Sequence, residues 1–124
     1  MTNIYRENIL EHYKNPKNFG SLKKPSHSGG FNNPLCGDSI IIDLILKNRK
    51  IQDIRFRGEG CAISISSSSM FFDQLKGKNT SFLIKINKEF MEKLINVKIS
   101  EGRVKCLMLP VSAINKIIIN KKWT

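Results

Sequence analysis

Residues 39–57 constrain the fold more than any other stretch of the chain. Ser39 to Lys47 carries the β-branched run Ile40, Ile41, Ile42 and Ile45, and Ile51 to Arg57 alternates Ile51, Asp53 and Arg55 against Gln52, Ile54 and Phe56. Such side chains are stiff at χ1 and suit a pleated surface, so both segments read as strands. Lys47-Asn48-Arg49-Lys50 is a polar break between them, and the pair predicts an antiparallel hairpin.

Helical patterns flank the hairpin. Ile4, Tyr5, Ile9, Leu10 and Tyr13 recur at a loose helical spacing that Asn15-Pro16 terminates, because the residue before proline is pushed out of the helical region. From Asn18 to Leu35 the chain is rich in Gly, Ser, Pro and Asn, which predicts a mobile loop with at most a short extended piece. Gly58-Glu59-Gly60 gives the backbone freedom to turn before Cys61. The serine tract Ser64 to Ser69 then leads into a short helix, Met70 to Leu75, that Gly77 can cap, with Cys61 at or near a helix N-terminus. Asn87 is an N-cap for a helix over Lys88 to Val97, with Phe90, Met91, Leu94 and Ile95 as its apolar stripe. In the last segment Leu107, Val111, Ile114, Ile117 and Ile118 have helical spacing. Pro110 is expected to fix its start near Cys106 to Leu109, so Cys106 would also lie at a helix N-terminus.

At 124 residues and 14.2 kDa the chain is expected to form a single domain, residues 1–124. With 40% apolar and 25% charged residues and a mean hydropathy of −0.24, it falls among soluble globular chains. No apolar run approaches the roughly 18 residues a membrane span needs, so no membrane association is expected. Met1 to Glu7 has neither a secretory nor a transit-peptide pattern. A cytoplasmic location is expected, or an organellar matrix if a presequence has been removed. The net charge of +11 would ordinarily suggest nucleic acid, but 16 of the 21 basic residues are dispersed lysines and no nucleic-acid motif is present. The surplus is instead expected to attract acidic proteins.

Cys36, Cys61 and Cys106 are separated by 25 and 45 residues, with no Cys-x-x-Cys knuckle, so neither a zinc ribbon nor a thioredoxin-type pair is present. Any shared site must be assembled by the fold. Taken singly, each cysteine reads as a small buried hydrophobe and Asp38 as a turn residue. Taken together they read differently. In Asn33-Pro34-Leu35-Cys36-Gly37-Asp38 a thiol and a carboxylate lie two residues apart around a glycine, so both can reach one ion. Adding Cys61 and Cys106 gives three thiolates and one carboxylate, a set suited to tetrahedral zinc or to iron, with one harder, more labile oxygen ligand. His12 and His27 are weaker candidates, one near a helix end and one in the loop. The serine tract has no acid–base partner, and Gly-x-Ser-x-Gly and His-Glu-x-x-His are absent.

At these positions the sequence resembles the IscU/SufU (NifU-like) iron–sulfur cluster assembly proteins. The resemblance runs through Tyr5-Arg6-Glu7, His12 to Asn18, Asn33 to Asp38, Phe56 to Ser64, Ser67 to Met70, Gly77-Lys78 and Arg103 to Cys106. It implies an α+β fold in which helices pack on a small antiparallel sheet of about three strands, with a metal or cluster site near one end. Cys36, Asp38, Cys61 and Cys106 fall on the family's ligand positions. IscU-type scaffolds carry a histidine before the last cysteine; here Lys105 stands there, as in zinc-binding SufU, and a protonated lysine cannot ligate. Asp38 then becomes the natural fourth ligand. The Leu-Pro-Pro-Val-Lys chaperone segment of IscU is also absent, Ser100-Glu101-Gly102-Arg103 taking its place. The distance from Cys61 to Cys106, however, is short for the insertion typical of SufU.

The function implied is acceptance of persulfide sulfur from a cysteine desulfurase at a zinc-bound site, as a transfer partner rather than a stand-alone enzyme. Cys36 is expected to be the acceptor and Cys106 the second candidate, with Arg103 and Lys105 as auxiliary cations. The alternative is a scaffold that builds a [2Fe–2S] cluster with the same side chains and passes it to recipient apo-proteins or downstream assembly proteins. A third, weaker reading is a small basic protein with a structural zinc site.

Overall fold

A computed structural model describes residues 3–33 and 37–120. Helix α1 (Asn3–Lys14) precedes three strands, β1 (His27–Asn33), β2 (Asp38–Lys47) and β3 (Lys50–Glu59). Helices α2 (Ala62–Leu75), α3 (Lys88–Ile95) and α4 (Val104–Asn120) follow, with 3-10 segments at Thr80–Lys85 and Glu101–Arg103. The strands form one antiparallel sheet in the order β1-β2-β3, which is the α+β architecture the resemblance implies. No helix among the described residues is long and apolar enough to cross a membrane.

The hairpin forms where expected, with one irregularity. Ile45 pairs with Asp53 but Leu46 pairs with Ile51, so Gln52 is an extra residue on β3. A bulge of this kind reverses the alternation locally, and it puts Ile51 on the same buried face as Ile54 and Phe56. Simple alternation had grouped Ile51 with Asp53 and Arg55. On β2, Asp38, Ile40, Ile42 and Leu44 share the face that the helices cover.

The stretch read as loop contains β1, paired with β2 from His27↔Leu44 to Asn33↔Asp38. Its composition hid it, for a reason the packing supplies. A Cβ on Gly29 would lie 2.8 Å from Ile117 Cγ1, so the strand needs a bare backbone where α4 crosses it. Further upstream, Phe56 N–H donates to Asn18 O and Gly20 N–H to Phe56 O, each at 2.8–2.9 Å, holding residues 18–20 against β3.

Helix α2 is longer than expected. It begins at Ala62 and takes in the whole serine tract, and Ser64 and Ser66–Ser69 are all buried. Serine survives inside because its hydroxyl turns back to its own helix: Ser66 donates to Ala62 O, Ser67 to Ser64 O and Ser68 to Ser64 O. Ser69 does something else. Its Oγ accepts Lys17 N–H at 2.7 Å and lies 2.6 Å from His12 Nδ1, which pins the end of α1 to α2. Burial, then the Lys17 cation, holds the His12 pKa below its ordinary value. His12, near the end of α1, thus meets a side chain of α2.

Asn87 caps α3 as expected, its side chain accepting Phe90 N–H at 2.8 Å. Helix α4 corrects the expectation about Pro110. It starts at Val104, two residues before the predicted range, and runs through the proline. Pro110 lacks an N–H for the carbonyl four residues back. Packing of Leu107, Leu109, Val111, Ala113 and Ile114, all buried, offsets that loss.

Candidate metal centre

Three elements bring their first residues to one end of the sheet. Asp38 opens β2, and pairing with Asn33 fixes its direction toward the helices. Gly37 N–H donates to Asn33 O at 2.9 Å, closing that end of the β1–β2 hairpin. Cys61 is the N-cap of α2 with an extended backbone (φ −78, ψ 174). Its carbonyl accepts Ile65 N–H and the Ser64 hydroxyl, both at 3.1 Å, while its side chain makes no capping bond. The thiol is thereby left available. Cys106 is the third residue of α4, in the first turn, and is 4% exposed.

One ligand atom from each of Asp38, Cys61 and Cys106 lies within 4.8 Å of the other two. A tetrahedral zinc with Zn–S distances of about 2.3 Å has donor–donor edges of about 3.7 Å, so small rotamer adjustments would close the three onto one ion. Asp38 is buried, and its Oδ2 has no hydrogen-bond partner among the described residues. A buried carboxylate oxygen without a partner is costly unless something fills its vacant lone pairs. Cys61 caps α2 and Cys106 lies in the first turn of α4, helix-start positions that suit anionic donors. Two soft thiols and a hard oxygen fit zinc or iron.

Gly60 has a part that sequence reasoning missed. A Cβ there would run into Ser64 Oγ and come within 3.2 Å of Asp38 Oδ1. Its service is close approach, leaving room for the carboxyl, rather than turning freedom. The unusual backbone belongs instead to Gly58, at φ +156, where a Cβ would collide with the Ser39 carbonyl as β3 crosses β2. The clue in the sequence was two glycines one residue apart.

Of the other predicted site residues, Cys36 lies outside the described residues. Arg103 and Lys105 are exposed, and neither side chain makes an ion pair or hydrogen bond among the described residues. Neither histidine joins the cluster: His12 sits on Ser69, and His27, at the start of β1, is 2.9 Å from Ser26 Oγ.

Comparison with known proteins bears on the same arrangement. The profile of the NifU-like N terminal domain matches residues 4–122. The zinc-dependent sulfurtransferase SufU of Bacillus subtilis is 35% identical over 130 aligned positions, covering 91% of this chain and 88% of that one. The iron–sulfur cluster assembly scaffold protein IscU 1 of Archaeoglobus fulgidus is 29% identical over 117 positions, covering 94% and 76%. Among solved structures, a SUF-system iron–sulfur cluster assembly scaffold protein from Fervidobacterium islandicum superposes with a TM-score of 0.80 at 26% identity, covering 94% of this chain and 97% of the other. The N-terminal domain of a NifU-like protein from Brucella abortus, at 22% identity, has the same fold, with a TM-score of 0.76 and coverage of 97% and 96%. With helices packed on a three-stranded antiparallel sheet and its sequence matched almost end to end, the chain belongs to the NifU-like N-terminal domain family of iron–sulfur cluster assembly scaffolds and sulfurtransferases.

Proposed function

We propose that residues 1–124 act as one SufU-like domain that accepts sulfane sulfur from a cysteine desulfurase at a zinc site made by Cys36, Asp38, Cys61 and Cys106. The observation that carries this reading is the buried, unpartnered Asp38 oxygen beside two thiols. It supports a carboxylate as fourth ligand, and Lys105, exposed beside Cys106, is no competitor for that place. When bound, zinc would keep the thiols in their reactive thiolate form. Cys36 is the acceptor in this reading, because in the sequence it stands two residues from Asp38, next to Gly37 and two residues after Pro34. Its sulfur attacks the outer sulfur of the persulfide on the desulfurase cysteine. The donor S–S bond breaks, its electron pair leaves with the donor thiolate, and a new S–S bond forms on Cys36. Cys106 is the second candidate, held more firmly by its helix. Exposed Arg103 and Lys105 supply positive charge near the departing thiolate. The sulfur then passes to recipient apo-proteins or downstream assembly proteins, in a reducing compartment such as the cytoplasm or an organellar matrix.

A scaffold function, with a [2Fe–2S] cluster as cargo on the same four side chains, is favoured by one observation. The alignment with Bacillus SufU spans 130 positions, more than the 124 residues of this chain, so that relative has residues that this chain lacks. Incubation with a cysteine desulfurase and free cysteine, followed by mass spectrometry, separates the readings. One added sulfur, lost in Cys36→Ala, is the expected result. A colourless zinc protein that never gains sulfur refutes the transfer reading, and a stable brown chromophore after anaerobic reconstitution establishes the scaffold.

A further inference from the structure

The far end of the molecule presents a second surface. β2 carries the chain from Asp38 to Lys47, about 30 Å at roughly 3.3 Å per residue, and α4 runs from Cys106 to Ile118 toward the same end. There a cavity of about 620 Å³ is lined by Arg49, Asn79, Thr80, Leu83, Ile84 and Ile118, among others. Backbone bonds join its walls: Thr80 N–H donates to Arg49 O at 2.8 Å and Ile51 N–H to Lys78 O at 2.9 Å. Ile84 is 86% exposed, the highest value among the exposed large apolar residues that the structure describes.

The charge around this cleft is one-sided. Lys47, Arg49, Lys50, Lys78 and Lys85 are all exposed, and none makes a salt bridge among the described residues. No Asp or Glu occurs from Leu44 to Gln52, from Gln74 to Lys88, or from Gly102 to Thr124. Asp53, the first carboxylate after Gln52, is engaged with Arg55 and Lys76, and Glu89, the first after Lys88, is exposed on α3. Single-stranded nucleic acid would want an aromatic face for base stacking. Among the described residues the aromatic ring beside the cleft, Phe82, is edge-packed on Phe90 with the Lys78 ammonium over it.

We propose that this cleft docks an acidic segment of another protein that carries an aliphatic anchor: its carboxylates meet the unpaired cations, and its anchor covers Ile84. The surface lies well away from Asp38, Cys61 and Cys106, so its occupation leaves those donors accessible, and the inference does not depend on the sulfur-transfer reading.

The probe is a short fluorescein-labelled peptide of aspartates and glutamates with interspersed leucines, titrated against the whole chain. Binding is expected to weaken as salt is raised. It should fall about tenfold in K47E/R49E/K50E and about threefold in Ile84→Ala, both exposed changes, and stay unchanged in K23E/K24E. Equal loss in K23E/K24E means a diffuse field and overturns the proposal. So does undiminished binding of the same peptide with alanine for leucine. Tighter binding of a single-stranded oligonucleotide, abolished by K47E/R49E/K50E, overturns it in favour of nucleic acid.

Discussion

At the scale of single residues, Asp38 sets stability against function. Its unpartnered buried oxygen weakens the metal-free protein, so Asp38→Ala should raise the unfolding free energy of metal-free protein by about 1 kcal/mol while loosening its hold on added zinc. Urea unfolding with and without zinc measures both, and a variant less stable in both conditions would contradict the assignment. Asp38, Cys61 and Cys106, which the fold brings together, were legible as candidates in the sequence because thiols and carboxylates have few other reasons to recur beside glycines. Their convergence was not, since it depends on Asp38 facing the helices and on Cys61 capping one. Gly60 was misread for a related reason: a glycine needed for close approach is indistinguishable in one dimension from a glycine needed for a turn.

Among the elements, the hairpin was readable because two β-branched runs lay either side of a polar break. β1 was not, because a strand built of His27, Ser28, Gly29 and Gly30 matches loop composition, and α4 alone explains the glycine. Similarly, local propensity stopped α2 short of its serines and held the start of α4 back to between Cys106 and Leu109, and burial overrode both. The sheet also has a charged outer side. Asp43, buried on β2, accepts from Ser28, from Leu22 N–H at 3.1 Å and from Arg57 at 3.0 Å. Burial alone would raise its pKa, but the bonds from Ser28, Leu22 and Arg57 and the Arg57 charge outweigh it, leaving the pKa below its ordinary 3.8. A carboxylate depressed on folding contributes stability above its unfolded pKa and loses it as pH falls through the folded value. Unfolding midpoints followed from pH 6 downward should therefore drop below about pH 4. Asp43→Asn should lower the neutral-pH midpoint and flatten that acid limb, leaving only the smaller part due to Asp53, which is shifted the same way.

For the molecule as a whole, the sheet and α4 are geared together through Gly29. Gly29→Val would place branched carbons where Ile117 already lies 2.8 Å from an added Cβ. The expected cost is about 1–3 kcal/mol in unfolding free energy, with weaker zinc retention because α4 carries Cys106. Calorimetry together with a chelator competition tests this, and a variant with wild-type stability would show that α4 moves freely over the strand. The three donors also have a mechanical meaning. They stand at the starts of β2, α2 and α4, so an ion or cluster bound there would rivet three otherwise separate pieces at a single point, and a ligand held only by the native state adds its binding free energy to the fold. Loading and unloading should then be legible as heat: the melting curve becomes a gauge of how firmly the passenger is seated.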